Sequence, residues 1–159
     1  KAIGVEEKAP EKTADSVLES SVALMINKPD TYVFGKKTAI DVPPMIVSDR
    51  TLVPVRFIAE AFGADVSWDD AAKKVTVKNG DRTIELYIDK AEITVNGTVS
   101  ALDTAAGIID GRTMLPLRAV VEALGKEVFW DARGLIIISD GEIVTADDSA
   151  AVSEIVSKF

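Results

Sequence analysis

The sequence predicts an α+β fold: a duplicated unit of twisted antiparallel β-sheet packed on one short α-helix, with a C-terminal helix. Three observations predict it. One stretch of the chain occurs twice. Each copy passes from strand-like alternation to helical spacing and back. The last residues carry a helical pattern of their own, outside the duplication.

The first copy is Arg50-Thr-Leu-Val-Pro-Val-Arg-Phe-Ile-Ala-Glu-Ala-Phe-Gly63, followed by Val66-Ser-Trp-Asp69. The second is Arg112-Thr-Met-Leu-Pro-Leu-Arg-Ala-Val-Val-Glu-Ala-Leu-Gly125, followed by Val128-Phe-Trp-Asp131. Val55, Ile58, Ala59 and Phe62, and then Leu117, Val120, Val121 and Leu124, recur at i, i+3, i+4, i+7, which makes one apolar helix face in each copy. Pro54 and Pro116 suit the first helical position, and Gly63 and Gly125 the left-handed residue past its end. A helix this short is unstable alone in water and must pack on a sheet. A shift of about 62 residues aligns Leu24–Asp70 with Leu86–Ala132 without a gap, far beyond the period of a simple solenoid. Asp41/Asp103, Arg50/Arg112, Arg56/Arg118, Glu60/Glu122 and Trp68/Trp130 are among the matched identities. One deletion then places Val75-Thr-Val77 on Ile136-Ile-Ile138.

In chain order, residues 1–21 are polar and mixed and read as a flexible leader, with a short helix around Thr13–Glu19. The first α+β repeat spans 22–79. Val22, Leu24 and Ile26 alternate in a strand that forms a hairpin with Tyr32–Phe34. Lys36–Ser48 is a longer connection, kept from helix by Pro43-Pro44. Val66–Trp68 and Lys74–Lys78 are strands, and Asn79-Gly80 is a hairpin turn. The second repeat spans 80–140 and packs with the first as one domain, since some 60 residues alone bury little core. Ile84, Leu86 and Ile88 alternate there, Asn96-Gly97 marks another turn, and Leu135–Ser139 reads as a buried strand. Residues 141–159 form a helical tail in which Val152, Ile155, Val156 and Phe159 share a face, capped by Asp147, Asp148 or Ser149.

The repeated pattern of Arg-Thr, a Pro between hydrophobics, Arg, Glu-Ala, Gly and Val-x-Trp-Asp resembles the copper amine oxidase N-terminal-like, or stalk, domain over roughly residues 22–139. The resemblance implies a secreted or cell-surface, non-catalytic α+β module of Gram-positive bacteria. The namesake's oxidase chemistry lies in another domain and needs His ligands to copper and a modified Tyr. This chain has no His, so neither copper nor amine oxidase activity is expected, and no cofactor is.

Composition narrows the function further. The 159 residues carry a net charge of −8, which argues against nucleic acid and against anionic membrane surfaces. With neither Cys nor His, disulfides, thiolate nucleophiles, imidazole bases and the usual transition-metal sites are excluded. No apolar run is long enough to span a membrane. Lys1 opens the chain without a basic-then-apolar signal, and the expectation is an exported protein whose signal peptide has been removed.

The candidate site residues each carry a functional and a plain reading. Arg56 and Glu60, like Arg118 and Glu122, stand at i, i+4. That spacing suits an anion site, or a helix-surface ion pair worth about a few tenths of a kcal/mol. It also suits an Arg packed beneath the Trp and clasped by Asp69 or Asp131. Recurrence in both copies favours a structural motif, since an active site more often diverges in one. Trp68 and Trp130 are candidate sugar platforms, although a Trp in a short strand more often belongs to the core. Tyr32 and Tyr87 are candidate exposed aromatics. Asp65, Asp69 and Asp70, or Asp147 and Asp148, match no ligand spacing and read as solvated turns. The expected function is therefore a non-catalytic structural or interaction module, with cell-wall polysaccharide or another surface protein as partner. The alternatives are a dedicated polysaccharide-binding module and a carboxylate-based glycan hydrolase.

Overall fold

The computed structural model describes residues 12–159; the first half of the expected leader, residues 1–11, lies outside them. The elements begin with α1 (Ala14–Glu19), β1 (Val22–Met25), β2 (Asp30–Val33), β3 (Lys36–Ala39), β4 (Met45–Val47) and β5 (Arg50–Pro54). Next come α2 (Val55–Ala61), β6 (Asp65–Asp69), β7 (Lys74–Asn79), β8 (Arg82–Tyr87), β9 (Glu92–Val95) and β10 (Thr98–Ala101). The chain ends with β11 (Gly107–Ile109), β12 (Arg112–Pro116), α3 (Leu117–Leu124), β13 (Glu127–Asp131), β14 (Leu135–Ser139) and α4 (Ser149–Ser157). The fold is α+β, with antiparallel sheets, short helices and a C-terminal helix.

The sheets are composite. One runs β13-β14-β1-β2-β3 and a second β10-β9-β8-β7-β6, so each draws strands from both halves of the chain. Residues about 62 apart take equivalent places in them. Leu24 lies opposite Ile136 as Leu86 lies opposite Val75, and Val22 opposite Ile138 as Ile84 opposite Val77. A third sheet, β11-β12-β5-β4, joins the halves at their centre. There Pro54 faces Met114, Val53 faces Leu115 and Leu52 faces Pro116. Val53 and Leu115 are each other's equivalent, so a pseudo-two-fold axis passes between them.

This corrects the expectation that each repeat supplies its own sheet. The physical reason is burial on both faces. All four residues of β1 and all five of β14 are buried, so each needs neighbours above, below and alongside. They find one another across more than a hundred residues of chain. By contrast β7 and β8 alternate, with Val75, Val77, Ile84 and Leu86 inward and polar residues outward. That alternation marks a sheet with one wet face.

The main core lies between the two large sheets. It holds Val22, Leu24, Ile136 and Ile138 from one, and Val75, Val77, Ile84, Leu86 and Ile93 from the other. The apolar faces of α2 and α3 fill the space between, with Ile58, Val120 and Leu124 buried. Leu115→Ala, at the axis, is expected to lower unfolding free energy by about 2–5 kcal/mol in urea titration. Ile46→Ser, on the exposed face of β4, is expected to change it by less than about 0.5 kcal/mol.

A smaller core covers the outer face of the first sheet. Ala23, Met25, Leu135 and Ile137 pack there against Ala14, Val17 and Leu18 of α1 and Val152 and Ile155 of α4. Residues 14–21, expected within a flexible leader, are therefore built into the fold. Thr13 caps α1 by accepting from the Ser16 backbone N–H at 3.0 Å, while the Thr13 N–H donates to Ser16 Oγ at 3.1 Å. Buried Ser21 donates to the Val17 carbonyl at 2.7 Å.

Two local expectations shift. The Lys36–Ser48 connection contains β3 and β4, both edge strands with few buried residues, which leaves little alternation to read. Pro54 and Pro116 stand one residue before their helices, as extended caps with ψ of 115° and 136°. There they close β5 and β12 at a helix N-terminus, where the first N–H groups have no intrahelical partner. Gly125 takes the left-handed position expected of it, at φ +73°, and Gly63 follows α2 at φ +83°.

Candidate functional site

The two Trp residues stand on β6 and β13, the outermost strands of the two large sheets. Each points to the inner side, opposite Val75 or Ile136, but at the sheet border. Helix covers that side only in part, so Trp68 is 38% exposed and Trp130 43%. Neither is a core residue. The short strand that suggests burial is here an edge strand, and the edge decides.

Each indole borders an open groove assembled from both halves. The first, about 610 Å³, has Trp68, Val66 and Arg56 on one side and Ile108, Arg112 and Thr113 on the other. The second, about 710 Å³, has Trp130, Val128 and Arg118 facing Arg50 and Thr51. The pseudo-two-fold exchanges Trp68 with Trp130, Arg56 with Arg118 and Arg112 with Arg50. Thus each groove offers one indole and two guanidinium groups, one from the adjoining helix and one from the other half of the chain. The space between the helices and the second large sheet is apolar and too small for a ligand, at about 10 Å³.

The crossing Arg residues are held by partners that sequence reasoning passed over. Arg112 donates to Asp41 through Nε at 3.2 Å and through Nη2 at 2.5 Å, a two-pronged pair. Arg50 stands 3.7 Å from Asp103 and donates through Nε to Thr104 Oγ1 at 3.1 Å. The signal was present: Asp41 and Asp103 recur at the same offset as Arg50 and Arg112.

The Arg-x-x-x-Glu spacing forms a surface pair in the first copy, with Arg56 3.7 Å from Glu60 and both exposed. No clasp with the Trp-Asp carboxylates forms among the described residues. Arg118 and Glu122 both line the second groove. Asp69 instead accepts from the Ala72 N–H at 3.1 Å, closing the turn after β6. Asp131 accepts from the Arg133 backbone N–H at 2.9 Å and from Arg133 Nε at 2.8 Å. Trp68 Nε1 donates to Asp70 at 3.4 Å, and Lys73 donates to the same oxygen at 3.0 Å.

Tyr32 and Tyr87 are half-buried and lie outside both grooves. Tyr32 meets Phe159 edge-on at 5.4 Å in the core beneath α4. Tyr87 lies under the ammonium groups of Lys74 and Lys90, at 5.7 and 5.0 Å. Their expected exposure is thus corrected: one ring serves packing, and the other is half-buried beside two lysine ammonium groups.

The Arg133 side chain and backbone hold the Asp131 carboxyl below its ordinary value, and the Arg112 guanidinium does the same for Asp41. A carboxylate depressed in the folded state adds stability above its unfolded pKa, about 3.9, and loses it as pH falls through the folded value. Stability is therefore expected to fall once pH drops below about 4. Asp131→Asn should flatten part of that slope in urea titrations run across the acid range.

The fold defines a small α+β module with two related surface grooves. The chain belongs to the copper amine oxidase N-terminal domain family, whose model matches residues 19–139. That domain is non-catalytic and stalk-like, the catalytic domain of the family being separate. No curated protein matches the chain. Copper does not fit the residues present. The chain has no His and no Cys. Among the described residues no three carboxylates gather where they could hold a metal ion.

Proposed function

We propose that this chain is a non-catalytic interaction module of a secreted or surface-bound bacterial protein, and that its partner is cell-wall polysaccharide. The observation that carries the reading is the pair of half-exposed indoles, each in an open groove beside two guanidinium groups. An indole face stacks on the apolar face of a pyranose ring, and Arg donors satisfy its hydroxyl or acidic oxygens. A pure spacer has no need to hold two large aromatic surfaces in water at equivalent places.

Acrylamide is expected to quench the fluorescence of both indoles, and purified wall polysaccharide to protect at least one. Trp68→Ala with Trp130→Ala should abolish retention on insoluble wall material while leaving the thermal midpoint within about 3 °C of the parent. Accessible indoles with no glycan protection and no retention would sink this reading and leave the spacer or protein-contact role.

A further inference from the structure

The two grooves are alike in shape but not in charge. Around Trp68 the walls carry Arg56, Arg112 and Lys73 against the single acid Asp70, which is already paired with Lys73. Around Trp130, Arg50, Arg118 and Lys126 stand among Asp49, Asp103, Glu122 and Glu127. Position matters as much as number. The acids that partner Arg56 and Arg112 are Glu60 and Asp41, and neither lines the Trp68 groove. Both line the neighbouring depression of about 400 Å³, on whose border the two Arg residues also stand. Asp103, the equivalent partner in the other half, lines the Trp130 groove itself.

We infer that the Trp68 groove is the site for the acidic sugar of a carboxylated polysaccharide, with the ring stacked on Trp68 and the carboxylate taken by Arg56 and Arg112. The inference rests on the reading that the grooves hold saccharide. A guanidinium has five N–H donors. Arg112 spends two on Asp41. Arg56 lies 3.7 Å from Glu60, beyond hydrogen-bond distance. The remaining donors match the two oxygens of a carboxylate. The Trp130 groove repels the same group with its own carboxylates and takes a neutral sugar. A chain of net charge −8 has no general attraction for polyanions, so binding of an acidic polymer must be local to a basic site.

The test is calorimetry with two hexasaccharides, one of N-acetylglucosamine alone and one alternating N-acetylglucosamine with glucuronate. The uronate oligomer should bind at least about tenfold more tightly than the neutral one. Arg56→Gln with Arg112→Gln should erase that preference, while binding of the neutral oligomer in the Trp130 groove, which neither residue lines, stays. Arg56→Gln alone, which leaves the Asp41 pair in place, should reduce it. Trp130→Ala should remove one binding event and keep the uronate preference. Equal binding of the two oligomers, a preference that survives in the double Arg variant or is undiminished in Arg56→Gln, or one that vanishes in Trp130→Ala, overturns the inference but not the saccharide reading. Equally tight binding of a glycerol phosphate oligomer would reassign the groove to phosphate and overturn it too. Failure of both hexasaccharides to bind would remove the inference together with the reading beneath it.

Discussion

Dividing the chain between Gly80 and Asp81 and separating the pieces is expected to leave neither piece folded as a monomer, whereas mixing them restores the native circular dichroism. In the intact fold β1 has its inner neighbour in β14, and β7 has its own in β8. The cut falls in the turn between β7 and β8, where no strand is broken, so the outcome reports on pairing rather than on damage at the cut. Separated, each piece keeps a doubly buried or half-buried strand with its hydrogen-bonding edge and apolar face open to water. Each also loses half of the core between the large sheets, and a piece this small has little stability to spare. A folded, monomeric first piece would show that its strands close on themselves and would contradict the composite sheets.

Ending the chain at Asp147 is expected to cost on the order of 3–6 kcal/mol, because Val152 and Ile155 are fully buried and each such side chain contributes about 1.5–3 kcal/mol. Part of the face formed by Ala23, Met25, Leu135 and Ile137, which α1 and α4 cover together, would then meet water. Chemical denaturation should show a lower midpoint, and an apolar dye should bind the shortened chain. A midpoint unchanged from the parent would mean that α4 rests on the sheet without holding it. Ser153→Ala is a milder control. It removes only the bond at 3.2 Å from Arg133 to Ser153 Oγ, and should cost about 1 kcal/mol or less.

What could be read in advance followed the range of the interaction that decides each feature. Helices α2 and α3 and the hairpin at Asn96-Gly97 depend on neighbours a few residues apart, and their patterns are visible in the chain. In that turn both residues take positive φ, at +50° and +85°. The equivalent turn of the first half places Phe34 at φ +48°, a conformation that a bulky side chain seldom adopts, so no turn signal stands there. Pairing of β1 with β14 depends on two apolar strands at opposite ends of the chain. Nothing local to either names its partner. The exposure of Trp68 and Trp130 follows from which strand closes each sheet, and that is decided by the same distant pairings. Asp41 and Asp103 were legible as recurring residues, but not as the anchors of Arg112 and Arg50, because each pair joins different halves.

The outer layer of α1 and α4 has a mechanical consequence. Lys12 contacts Asp148, the residue that precedes α4, at 3.3 Å, and Phe159 closes on Tyr32 just beyond the end of the same helix. The two ends of the described chain thus lie within about the length of one nine-residue helix, roughly 15 Å. Tension applied between them would peel these two helices from the sheet one turn at a time, before loading the interlocked strands beneath. Two ends set this close add little length to a chain pulled through them.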